Sequence, residues 1–228
     1  MSADVYPVEG SHLERYAAVF DAVEINSSFY RPHRFTTYER WARTVPDRFR
    51  FSLKIPKTIT HERRLAPSDD LLEPFLASVT GLGTRLGPLI VQLPPSLALD
   101  EPCAHAFFSE FRRVWTGPVV CEPRHATWFT AAGGRLLADL EIGRIAADPV
   151  LAPGGGEPGG WPGVVYYRLH GSPRTYYSAY GAERVATLAP ALTSAAATGS
   201  EVWCIFDNTA LGAAAVDAVT LRAALKEP

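Results

Sequence analysis

PLIVQLP at residues 88–94, AHAFFSEFRRVW at 104–115 and PVVCEP at 118–123 decide the architecture of this chain. The first and third runs are short, apolar, rich in Ile and Val, and fenced by proline, as strands buried on both faces should be. The middle run carries its apolar side chains at helical spacing. Strand, helix, strand within so few residues predicts a parallel sheet with helices packed outside it. Each strand also ends on a polar residue, Gln92 and Glu122.

The same grammar extends in both directions. Strands are expected at residues 22–26, 50–56, 144–149, 164–170 and 201–208, which are rich in Val, Ile, Phe and Tyr. Helices are expected at 71–86, where Leu71, Leu72, Phe75, Leu76, Val79 and Leu82 share a face, and at 183–197. Gly117 and Gly199, near helix ends, read as left-handed caps. Residues 151–163 (LAPGGGEPGGWPG) are too rich in Gly and Pro for a helix, so a loop stands in place of the sixth helix.

Before His12 only Val5 and Tyr6 resemble strand residues, so a first strand is missing. Either residues 2–8 supply a makeshift strand or the natural chain starts upstream. The second is favoured, because Asp4-Val5-Tyr6-Pro7 is short and its proline donates no ladder hydrogen bond. The expected architecture is an irregular TIM-type (β/α) barrel forming one domain over residues 1–228. A doubly wound dinucleotide fold needs a glycine-rich turn directly after a strand. The nearest candidate, residues 81–87 (GLGTRLG), follows a helix and precedes a strand.

The chain has 228 residues, 47% hydrophobic and 20% charged, which suits one packed domain and excludes disordered and fibrous classes. A net charge of −2 gives no whole-molecule reason to expect nucleic acid. Cys103, Cys121 and Cys204 are an odd number without CxxC spacing and read as free thiols, which fits the cytoplasm. No signal peptide is visible and no apolar run approaches the ~20 residues of a membrane span, so no membrane partner is expected.

Polar residues gather where the strands end: Glu24 with Asn26, Lys54, Gln92, Glu122, Asp148, Arg168 with His170, and Asp207 with Asn208. Alternation puts Tyr166, Arg168 and His170 on one face, whereas Asp207 and Asn208 must point opposite ways. The following loops are basic: Arg31, His33 and Arg34, then Lys57, His61, Arg63 and Arg64, then Arg124 and His125, then Arg174. In parallel α/β folds that end of the sheet carries the active site, and a cationic rim favours phosphate or carboxylate ligands. The G-x-S-x-G, H-E-x-x-H and G-x-x-x-x-G-K-[ST] patterns are absent from the sequence.

Five blocks in order carry a family likeness: residues 23–65 (VEINSSFYRPHRFTTYERWARTVPDRFRFSLKIPKTITHERRL), LIVQLPPSL, CEPRHATWF, YYRLHGSPRTYYSAY and VWCIFDNTALGAAA. From about Gly10 to Leu225 the chain resembles the YecE-like proteins (domain of unknown function 72). The resemblance implies an irregular TIM-type barrel of bacteria and archaea with no established reaction. Members usually begin with an extra strand and a Gly-Thr-x-Gly-Trp-like turn, which this sequence lacks.

Two functional readings follow. The first is an enzyme (hydrolase, lyase or isomerase) acting on a small anionic substrate by general acid/base chemistry. Glu24, Lys54, Glu122, His170 and Asp207 are its candidate catalytic residues; Asn26, Gln92, Arg124, His125, Arg168, Arg174 and Tyr177 are its candidate substrate contacts. No cofactor is identified by motif. A variant uses a divalent metal on Glu24, Glu122, Asp148, His170 or Asp207, by fold analogy alone. The second is a non-catalytic module binding nucleic acid or a phosphorylated ligand through the basic rim. The sequence leaves the oligomeric state open.

Overall fold

A computed structural model describes residues 5–226. Parallel strands alternate with helices, and the chain divides into two compact units. One runs from Tyr6 to Trp128, and the other comprises the residues from Phe129 onward together with Val5.

The amino-terminal unit holds α1 (His12–Ala17), β1 (Ala22–Ile25), α2 (Ser27–Tyr30), α3 (Phe35–Thr44), β2 (Arg50–Lys54), α4 (Asp69–Val79), β3 (Leu86–Gln92), α5 (Glu101–Val114) and β4 (Val119–Glu122). The strands pair in parallel in chain order, with Glu24 opposite Ser52, Lys54 opposite Ile90 and Gln92 opposite Glu122. That register gives the sheet two characters. Leu53, Leu89, Val91, Val119 and Cys121 form an apolar face, all fully buried. Ser52, Lys54, Gln92 and Glu122 project from the other, because strand side chains alternate. Helix α5 starts where the Asp100 side chain accepts from the Cys103 backbone N–H, satisfying one orphan donor of the first turn.

The carboxyl-terminal unit holds α6 (Ala131–Asp139), β5 (Ile142–Arg144), β6 (Ala146–Asp148), β7 (Gly159–Gly160), β8 (Val164–Leu169), α7 (Gly181–Ala186), α8 (Ala189–Ala197), β9 (Glu201–Phe206) and α9 (Ala213–Ala224). Strand β8 lies between β6 and β9, parallel to both. Tyr167 and Leu169 bury one face of β8 against Val185, Leu188, Leu192 and Leu221 of the helical layer. On the opposite face Tyr166 stacks on its register partner Trp203, with ring centroids 5.8 Å apart.

The structure corrects several expectations. Residues 144–149 do not form one strand: β5 pairs antiparallel with β7, and β6 pairs parallel with β8. The helix expected at 183–197 breaks into α7 and α8, with Pro190 in the first turn of α8 where its missing N–H is not needed. The helix expected to reach residue 86 ends at Val79 and tightens into a 3₁₀ turn over Thr80–Arg85. Gly81 belongs to that turn, and a Cβ there would lie 2.5 Å from the Phe35 carbonyl, so close approach to α3 explains this glycine. Gly199 has the left-handed φ of 87° expected of a cap, but Gly117 is not among the positive-φ residues. A Cβ at Gly117 would strike the Trp115 ring at 2.7 Å, so lack of space is its reason.

The loop in place of the sixth helix is present, carrying only the two-residue β7. Of the makeshift strand at residues 2–8, residues 2–4 lie outside the described residues, and residues 5–8 form a turn and bend. Among the described residues no helix is long and apolar enough to cross a membrane.

Candidate functional site

Polar side chains collect at the carboxyl end of the strands in each unit. In the amino-terminal unit Lys54 is 7% exposed, Gln92 5% and Glu122 2%. The Lys54 ammonium sits 4.1 Å from the centroid of the Phe29 ring, and the His61 ring meets the same Phe29 edge-on at 5.0 Å. Helix α2 holds Phe29 there because the Ser28 hydroxyl donates to the Lys54 carbonyl at 2.7 Å, tying α2 to the end of β2. Glu122 accepts from Arg124 Nε at 2.8 Å, and Arg124 Nη2 lies at the same distance from the same carboxylate oxygen.

His61 lies in a single π-helical turn, Thr58–Glu62, and Arg64 and Leu65 follow with φ of 52° and 67°. Side chains other than glycine rarely adopt this region, and the surrounding structure must over-determine it. Here Arg64 donates to the Ser96 hydroxyl and carbonyl, anchoring the segment. Burial holds the His61 pKa below its ordinary value, and the Lys54, Arg124 and Lys57 cations reinforce this against the opposing pull of Glu122. Burial and these three cations therefore favour the neutral imidazole at His61.

Two acceptors in this unit have no donor: Gln92 Oε1 and Asn26 Oδ1 are buried without a hydrogen-bond partner. Asn26 precedes α2 but makes no side-chain cap bond. Glu24 is half-buried on the Ser52 face. His125 is occupied with its own turn, through Thr127 at 3.0 Å. Of the basic rim, Arg63 is engaged in a bidentate pair with Asp70, whereas Arg31 and Arg34 are exposed.

In the carboxyl-terminal unit Arg168, His170 and Asp207 pair with one another, while Asn208 Oδ1 is buried without a hydrogen-bond partner. His170 Nδ1 lies 3.0 Å from Asp207 Oδ2, and His170 Nε2 lies 3.3 Å from Arg168 Nη1. Arg168 is only 1% exposed and also pairs with Asp207 at 3.8 Å. The Nδ1–H tautomer of His170 satisfies both contacts, donating to Asp207 and accepting from Arg168. Register resolves Asp207 from Asn208. Ile205 pairs with Arg168, so Asp207 shares the face of Arg168 and His170, and Asn208 points the other way. Asn208, fully buried, donates to Asp217 of α9 at 2.7 Å and to the Ser178 carbonyl at 2.9 Å. Asp148 pairs in register with Leu169 and reaches Arg184 of α7 at 3.8 Å, away from the His170 face. Arg174 lies 3.8 Å over the half-exposed Tyr177 ring.

Among the described residues no three His, Cys, Asp or Glu side chains gather as a metal site requires. His61, Phe29 and Asp217 were not among the sequence-derived site residues. His61 was legible only as a rim cation. Asp217 had a readable signal, four residues before Leu221 on the buried stripe of a helix.

Comparison with known proteins agrees with this architecture. The chain is 39% identical over 89 residues to the UPF0759 protein YecE of Escherichia coli (strain K12), covering 39% of this chain and 33% of that protein. It is 26% identical over 126 residues to the UPF0759 protein YunF of Bacillus subtilis (strain 168), covering 52% of this chain and 44% of that one. The matched stretches thus span less than half of either relative. The crystal structure of a DUF72 family protein from Enterococcus faecalis V583 superposes with a TM-score of 0.82 at 21% identity, covering 96% of this chain and 89% of that one. One from Thermotoga maritima MSB8 gives 0.79 at 22% identity, covering 98% and 93%. At such identity these two establish the fold alone. The family model "Protein of unknown function DUF72" matches residues 2–228, and the chain belongs to that family.

Proposed function

We propose that the strand ends of the amino-terminal unit form an enzyme site for a small anionic substrate worked on by general acid/base chemistry. The observation that carries the reading is the gathering at these strand ends of Lys54 over the Phe29 ring, His61 edge-on to the same ring, and Arg124 held by Glu122. Lys54 and Arg124 hold the anion, and Glu122 fixes the Arg124 guanidinium. His61 accepts a proton from the substrate and, as the imidazolium, returns it, while Glu24, on the same sheet face as Lys54, is a further candidate for the proton-transfer role. A base that stays neutral near pH 7 while cations hold the substrate is the separation of roles such chemistry needs. His170 and Asp207, also proposed as catalytic, are held by Arg168; Arg174 and Tyr177 are proposed as ligand contacts of their own unit.

The single irregular TIM-type barrel over residues 1–228 belongs to this proposal, supported by parallel strands alternating with helices in both units. So does a cytoplasmic location, supported by the free thiols Cys103, Cys121 and Cys204. A non-catalytic module for phosphorylated ligands is the second reading, favoured by the Arg174–Tyr177 stack. The divalent-metal variant has no ligand cluster to support it among the described residues.

The test is calorimetric titration of inorganic phosphate at low and raised salt, on the wild-type chain and on Arg124→Gln. The reading expects weak binding that falls with salt and is lost in the variant. Binding unchanged in Arg124→Gln would overturn it. Loss of binding in Arg174→Gln instead would favour the second reading.

A further inference from the structure

We propose that the amino-terminal site takes an anion that also carries hydroxyl groups, of the chemical class of a phosphorylated polyol or a hydroxy acid, with Gln92 Oε1 accepting from a hydroxyl. This rests on the anion-site reading above and names its ligand class.

The argument starts from Gln92, which is 5% exposed and whose Oε1 has no donor. A buried acceptor left unpaired costs free energy, and such atoms are rare enough in native proteins to need a reason. Gln92 is not stranded in an apolar layer. It pairs in register with Glu122, and its own strand neighbour two residues back, Ile90, pairs with Lys54. Neighbouring strands lie about 4.8 Å apart. Gln92 therefore stands one strand from Lys54 and one strand from Glu122 with its attached Arg124. Asn26 Oδ1, just past the end of β1, is a second buried acceptor without a donor.

A ligand for this site must answer both features. Sulfate brings only acceptors; it matches Lys54 and Arg124 but leaves Gln92 and Asn26 unpaired. A neutral polyol brings donors but no charge for Lys54 and Arg124 to attract. A small molecule with an anionic group and neighbouring hydroxyls satisfies all of them at once. Such a site rejects analogues lacking the hydroxyl, because its own buried acceptor is then left unpaired.

The experiment compares glycerol phosphate, inorganic sulfate and glycerol by calorimetric titration at low ionic strength, with inorganic phosphate titrated alongside. The proteins are the full chain, Gln92→Leu, Asn26→Ala and Arg124→Gln. Wild type is expected to bind glycerol phosphate about tenfold more tightly than sulfate, the weight of one well-made hydrogen bond, and glycerol not at all. Gln92→Leu is expected to bring that ratio close to one while keeping its sulfate affinity. It should melt at least as high as wild type, since it removes an unsatisfied acceptor. Asn26→Ala reads the same ratio through the second acceptor, independently of how Gln92→Leu folds. Equal affinities in wild type, or a preference that survives both substitutions, overturn this inference and leave the anion site standing. Absence of phosphate binding in wild type removes both.

Discussion

The two units solve the same problem in opposite ways. Each brings buried polar groups to the carboxyl ends of parallel strands. In the carboxyl-terminal unit many of those groups pair with one another, Asp207 with His170, His170 with Arg168, Asn208 Nδ2 with Asp217, and Tyr180 N–H with Asp217 at 3.1 Å, although Asn208 Oδ1 is buried without a donor. In the amino-terminal unit Gln92 Oε1 and Asn26 Oδ1 stay without donors, and a neutral His61 is held among cations. A closed network contributes rigidity and specifies its own geometry. Open acceptors contribute neither, and under the proposed reading a bound ligand offsets their cost.

The largest expected effect tests the closed network. Arg168→Met leaves Asp207 and His170 without their buried cation and should cost about 3–5 kcal/mol in urea unfolding, as breaking a buried pair does. A loss under about 1 kcal/mol would mean that the network is not closed in the sense argued. Asn208→Leu is expected to cost less, about 1–3 kcal/mol, because it deprives Asp217 and the Ser178 carbonyl of one donor each.

The open cluster makes smaller and opposite predictions. The His61 pKa is lower in the folded chain than its ordinary value of 6.5. The unfolded chain therefore binds the proton more readily, and His61 contributes stability at pH values above 6.5 that is lost as pH falls through the lowered folded value. Urea midpoints between about pH 7.5 and pH 5 should fall less steeply in His61→Gln than in wild type; equal slopes in the two proteins would contradict the depressed histidine. Gln92→Leu should be the mildest, neutral or slightly stabilising, by contrast with the costly Asn208→Leu. If both substitutions destabilise alike, the distinction between closed and open networks fails.

Much of this was legible in the sequence, and the failures have physical causes. Apolar runs fenced by proline, such as residues 88–94 and 118–123, declare buried strands because nothing else places β-branched residues so densely. The division at Ile145 was not legible, since β5 and β6 differ only in which partner each finds. The break between α7 and α8 was available in Pro190, which an apolar period alone overlooks. Strand alternation found the shared face of Arg168 and His170 but left Asp207 and Asn208 ambiguous until the register with β8 was known. Lys54, Gln92 and Glu122 were recognisable as charges and amides where a core should be apolar. That Gln92 Oε1 has no donor could not be read, because hydrogen-bond satisfaction belongs to the folded arrangement. His61 was hidden for a related reason: its environment is set by a π turn and two left-handed residues that no local periodicity announces.

The most direct measurement is a crystal structure of the full chain soaked with glycerol phosphate. The phosphate is predicted to lie against Lys54 and Arg124, with a glycerol hydroxyl within hydrogen-bond distance of Gln92 Oε1. A phosphate seated instead at Arg174, with the amide of Gln92 unchanged, would contradict the account.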